Sequence, residues 1–130
     1  MKDKIEITFL EGWLLKKKAP GKQKVLRILS GDRKRWFQVK ELTSFNSVEV
    51  TLCYFKSQHE TEARGWIYLR DVTQLHEDGK NITIVSLARS ITVEAKSRAE
   101  HKFWFEGISR LCPSVKRSDS QGRFISYNSG

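Results

Sequence analysis

From Ile5 to Ala95 the large apolar residues recur mostly every second position, in short runs separated by polar turns. A period of two places alternate side chains on opposite faces, so each run reads as a strand with one buried face. Ile5, Ile7 and Phe9 lead into Trp13-Leu14-Leu15, and Trp36, Phe37 and Val39 form the next strand. Val48, Val50, Leu52 and Tyr54 alternate cleanly. After the polar turn Ser57 to Ala63, Trp66-Ile67-Tyr68-Leu69 and then Val72 read as a fourth strand. Asp78-Gly79-Lys80-Asn81 is a turn into a strand over Ile82, Ile84 and Ser86, and Ile91, Val93 and Ala95 make the last. Many short strands joined by polar turns predict an antiparallel sandwich or barrel.

The period changes at Ser97. Ser97-Arg98-Ala99-Glu100 has the form of a capping box, in which the serine accepts from the third helical amide. Phe103, Trp104, Ile108 and Leu111 then recur at helical spacing, giving one apolar face. Pro113 disfavours helical geometry in the residue before it, so the helix is expected to stop near Cys112. Ser114 to Gly130 is polar and Ser-rich, with Phe124, Ile125 and Tyr127 as its large apolar groups. The expected division is an extension over 1–9, one domain over 10–112, and a mobile polar tail or short return segment over 113–130.

A chain of 130 residues can bury a core without disulfides or a structural metal. Cys53 and Cys112 stand apart, with no second cysteine or histidine at metal-ligand spacing, and read as reduced thiols of a cytosolic protein. His59, His76 and His101 lie in different elements, and no nucleophile, base and orienting acid form a recognisable set. We therefore expect no enzyme activity, no cofactor and no metal. No apolar run has the length to cross a bilayer, so any membrane contact is expected to be peripheral.

The charge is concentrated. Lys16, Lys17, Lys18, Lys22, Lys24, Arg27, Arg33, Lys34 and Arg35 are opposed between residues 16 and 35 by Asp32 alone, a local +8 of the chain's net +9. A field of that sign at one site selects an anionic partner. Alternation puts Arg33 and Arg35 on one face, and antiparallel pairing of the flanking strands can bring Lys16 beside them. Such a convergence suits a phosphate, arginine offering a planar fork and lysine a movable point charge.

Glu11-Gly12-Trp13-Leu14-Leu15-Lys16, Arg33-Lys34-Arg35-Trp36-Phe37, the short strands and a C-terminal helix carrying Trp104 together resemble a pleckstrin homology (PH) domain, over about residues 10–112. The resemblance implies a mainly β fold with one C-terminal α-helix, a partly open barrel of two near-orthogonal antiparallel sheets capped by the helix, with Trp104 as the plug. It also implies a phosphoinositide-type site at Lys16, Arg33 and Arg35, with Arg64 similar to a further arginine that contacts inositol phosphates in some members. Lys17, Lys18, Lys22 and Lys24 are expected to assist. The family's tight binders carry a tyrosine in the third strand; aligned by sequence, Cys53 falls at that place and lacks the hydroxyl.

Val25, Leu26, Ile28 and Leu29 interleave with the loop cations and are expected to contact the headgroup layer of a membrane. That mixture also suits phosphatidic acid, and in this respect the chain is similar to the acylated PH-domain proteins of apicomplexan parasites. Those carry an N-terminal acylation signal, whereas Met1-Lys2 lacks the glycine that myristoylation needs. The expected function is a monomeric signalling module that binds anionic phospholipid on the cytosolic face of a membrane, without nucleic acid. The alternative is a protein-interaction module of the same fold with an acidic partner.

Overall fold

Alternation in the sequence becomes alternation in burial. Along Asn81–Ser86, Ile82, Ile84 and Ser86 are buried while Asn81, Thr83 and Val85 are half-buried. The computed structural model describes residues 10–17, 33–44, 47–112, 115–119 and 123. Within them lie β1 (Glu11–Lys16), β2 (Arg33–Ser44), β3 (Ser47–Phe55), β4 (Gly65–Tyr68), β5 (Val72–Asp78), β6 (Asn81–Ser86), β7 (Ser90–Glu94), the helix α1 (Arg98–Leu111) and β8 (Lys116–Ser118). The architecture is mainly β, an open sheet with one C-terminal helix, as expected.

The strands follow one hydrogen-bonded order, β4-β3-β2-β1-β7-β6-β5-β8. β1 is the shared strand. It pairs with β2 along its whole length but with β7 only through Leu15 with Glu94 and Lys16 with Val93. The short second ladder lets the two halves of the sheet diverge on either side of β1.

One feature differs from the expectation, and the short return segment left open for the tail is realised. The run expected as a fourth strand from Trp66 through Val72 is divided: Leu69–Asp71 forms a single 3-10 turn, after which β5 starts a separate strand. Leu69 is buried in the core, so the chain turns inward there instead of continuing the pleat. After α1, β8 returns to the edge of β5 and pairs with it in parallel, and the Ser118 hydroxyl lies 2.9 Å from His76 Nδ1. A polar segment of three residues gives no period-two signal.

The helix starts where the capping box placed it, with the Ser97 hydroxyl accepting from the Glu100 amide at 3.2 Å, and it ends at the C-cap Cys112. Its buried stripe is His101, Trp104, Phe105 and Ile108, whereas Phe103 is 47% exposed. Trp104 is 2% exposed and belongs to the core with Leu14, Phe37, Leu75, Ile82, Ile84 and Val93. His101 completes the seam, with Nε2 2.7 Å from Glu77 Oε1 on β5 and its ring stacked on Phe105. Among the described residues, no helix is long and apolar enough to cross a membrane.

Candidate functional site

The β1–β2 register defines which cations share a face. Lys16 stands opposite Arg33, Leu14 opposite Arg35 and Gly12 opposite Phe37. Directly opposed residues project to the same side. Lys16, Arg33 and Arg35 therefore lie on the side that also carries Leu14, Phe37 and Val39, all buried in the core. This inner row leaves the core at the end of β1 and becomes cationic where solvent reaches it. Burial supplies the reason: Phe37 is fully buried, Arg35 is half-buried, and Arg33 is exposed.

β3 adds a residue that sequence alignment misassigned. Tyr54 pairs with Phe37 and so faces inward, whereas Cys53 pairs with Gln38 and faces the other way. Cys53 Sγ lies 3.2 Å from the Thr51 hydroxyl on that opposite side. The third-strand tyrosine is therefore present, as Tyr54, and no hydroxyl is missing. Its ring packs against Phe37 with centroids 5.3 Å apart, and Lys16 Nζ sits 5.3 Å from its centroid. Arg89, from the turn between β6 and β7, donates from Nη2 to the Tyr54 hydroxyl at 2.7 Å and lies 5.6 Å from the ring centroid. Two cations thus flank one aromatic ring, each stabilised by its π face. Nothing in the sequence around Arg89 distinguishes it; only the fold brings it 35 residues back to Tyr54.

Gly65 is the floor of this arrangement. A Cβ there would stand 2.5 Å from the Tyr54 hydroxyl and 3.0 Å from Arg89 Nη2, so a side chain at this position would collide with the hydroxyl and crowd the guanidinium.

The other expected residues divide. Lys17 leaves the inner row: its Nζ is 3.1 Å from Glu94 Oε1 on β7, and Glu94 opposes Leu15, which faces away from Lys16. Arg64 donates its backbone amide to the Tyr54 carbonyl at 2.7 Å, but its guanidinium is turned to Glu60, 3.9 Å away. Lys18, Lys22, Lys24, Val25, Leu26, Ile28 and Leu29 lie outside the described residues. Cys53 and Cys112 are both free and buried, and burial pushes the Cys112 thiol up to about 12. Among the described residues no group of His, Cys, Asp or Glu is arranged to hold a metal ion.

The described residues thus form an open sheet with one C-terminal helix, and cations and a tyrosine share the solvent-reached end of its inner face. The model of the PH domain family matches residues 8–113, and the chain belongs to that family. Among solved structures it is similar to the carboxyl-terminal PH domain of pleckstrin, at 18% identity with a TM-score of 0.58, covering 80% of this chain and 93% of that one. The same pleckstrin domain in complex with D-myo-Ins(1,2,3,4,5)P5 is similar at 18% identity with a TM-score of 0.59, covering 78% and 95%. The N-terminal PH domain of human ARAP2 is similar at 20% identity with a TM-score of 0.60, covering 92% and 88%. No curated protein matches the chain.

Proposed function

We propose that this PH domain brings its protein to anionic phospholipid surfaces by capturing a phosphorylated headgroup at Lys16, Arg33, Arg35, Tyr54 and Arg89. The observation that carries the reading is the β1–β2–β3 register, which aligns three cations with a hydroxyl already held by a fourth. Several converging donors are worth most to a ligand with several phosphate oxygens, so the arrangement favours a phosphoinositide over phosphatidic acid. The crystallised complex of a similar domain with an inositol pentakisphosphate supports that ligand class. Lys18, Lys22 and Lys24 act as steering charges, each adding about 1 kcal/mol near an anionic surface before screening. Val25, Leu26, Ile28 and Leu29 add apolar contact with the headgroup layer, and the protein sits peripherally on the cytosolic face.

The test is co-sedimentation at physiological salt with phosphatidylcholine vesicles containing phosphatidic acid, phosphatidylserine or single phosphoinositides, matched for surface charge. Selective pelleting with phosphoinositide vesicles is the expected result. Equal pelleting with all of them would reduce the site to a diffuse basic surface, and none at all would favour an acidic protein partner.

A further inference from the structure

Among the described residues the sheet has two edge strands, and their sequences treat a neighbouring chain in opposite ways. One edge is β8, Lys116-Arg117-Ser118, a three-residue strand that carries two cations. Short charged edge strands deter pairing with another chain. The other edge is β4, Gly65-Trp66-Ile67-Tyr68, which is backed by β3 alone and contains no charge, no proline and no bulge. Trp66 and Tyr68 oppose Cys53 and Thr51, so both rings stand on the outer face of the sheet, and Trp66 is 47% exposed. Ile67 between them is buried in the core. The cations bordering the strand are engaged within the same chain. Arg64 lies 3.9 Å from Glu60, and Arg70 meets Glu49, lies 3.6 Å from Asp71 and sits 5.0 Å from the Tyr68 ring centroid. The positive field lies elsewhere, +8 of the net +9 within residues 16–35, and β3 separates β4 from β2.

We infer that β4 is a self-association edge, at which a second copy of the chain pairs antiparallel with Gly65–Tyr68 and extends the sheet. An edge strand offers backbone donors and acceptors to any extended partner, and nothing in this one opposes the contact. Charge selects the occupant. An edge whose flanking cations are already neutralised gains nothing from an acidic or basic partner, and an identical edge approaches it without repulsion. The strand is also self-complementary. A two-fold axis through Ile67 sets Trp66 of each protomer opposite Tyr68 of its partner on the outer face, giving two aromatic cross-strand pairs in one contact. An axis through Trp66 would instead leave each Tyr68 opposite a charged Arg64. A contact of four residues is small, so the association is weak in dilute solution. Recruitment to a membrane raises the local concentration of the chain and favours it. That consequence rests on the headgroup reading; the pairing itself does not.

The test is sedimentation equilibrium of the wild-type chain, Trp66→Lys and Leu87→Ser, in the absence of lipid, between about 10 μM and 1 mM. Trp66→Lys puts a cation on the edge. Leu87→Ser removes a 76% exposed apolar side chain from the turn between β6 and β7 and controls for general stickiness. An unchanged urea midpoint establishes that each variant is folded. The wild type and Leu87→Ser are expected to shift from monomer toward dimer across that range, with association at least about tenfold weaker for Trp66→Lys. Hydrogen exchange of the wild type gives a second readout that needs no variant: the amides of Gly65–Tyr68 should slow as concentration rises. A wild type that stays monomeric throughout overturns the inference and leaves the edge to a strand of another protein. Association that Trp66→Lys retains in full, or protection that rises only outside β4, places the contact elsewhere and overturns it as well.

Discussion

Replacing Gly65 by alanine isolates the contact on which the inner-face site is built. The backbone of β4 is extended there, so alanine meets no conformational objection and the effect is purely one of space. The new Cβ would lie 2.5 Å from the Tyr54 hydroxyl and 2.7 Å from the carbon that bears it. Ordinary contact begins near 3.4 Å, so the end of the ring must move by about 0.9 Å. Tyr54 is 8% exposed and packed on Phe37, which leaves little slack. Overpacking of this kind costs about 1–3 kcal/mol, and opening the 2.7 Å bond to Arg89 adds about 1 kcal/mol. The lower backbone entropy of unfolded alanine returns about 0.4–1 kcal/mol. The net expectation is roughly 1–3 kcal/mol of destabilisation, read as a lower urea midpoint at unchanged m-value, together with weaker binding of D-myo-Ins(1,2,3,4,5)P5. A midpoint shift equivalent to less than about 0.5 kcal/mol, with binding intact, would refute the packing of Tyr54 over Gly65.

Ser97→Ala should cost about 1 kcal/mol by removing the acceptor of the Glu100 amide, checked by urea denaturation with Ser97→Asp as the retained cap. For Cys112, burial raises the folded thiol to about 12 from an ordinary 9.0. Between those values the unfolded state alone releases the proton. Stability is therefore unaffected by this group below pH 9 and falls by up to about 1.4 kcal/mol per pH unit above it. Cys112→Ala should show a shallower decline between pH 9 and 10.5, and parallel declines would contradict the burial. Arg35→Ala should weaken vesicle binding more than Lys22→Ala, because an arginine fork in the inner-face row contributes more than a loop charge that steers; equal losses would indicate a diffuse field.

The legible parts of this fold are those whose signal is local. Period-two runs such as Asn81–Ser86 mark strands because one face is the more deeply buried, and the Ser97 cap with Pro113 brackets the helix almost to the residue. Lys16, Arg33 and Arg35 could be placed together because alternation and hairpin pairing are themselves local rules. What escaped depends on register and on distant chain. Counting along Leu52-Cys53-Tyr54-Phe55 cannot say which residue opposes Phe37, and an error of one position exchanges a hydroxyl for a thiol. Arg89 reaches Tyr54 from the other half of the sheet, and Lys17 turns to Glu94 because β7 lies beside β1, a neighbour the sequence does not announce. The break after Tyr68 was hidden because Leu69 and Val72 are both buried and extend an apolar run through the turn.

The central claim, that the inner-face row captures the headgroup, is tested most directly by comparing Arg35→Ala with Lys102→Ala on phosphoinositide vesicles. Both remove one positive charge, but Lys102 is an exposed residue of α1, away from the β1–β2 row. The account predicts at least about a tenfold loss of binding for Arg35→Ala, since hydrogen bonds to charged groups are worth about 1.5–3 kcal/mol, and a change within about twofold for Lys102→Ala. Equal losses in the two variants would contradict it.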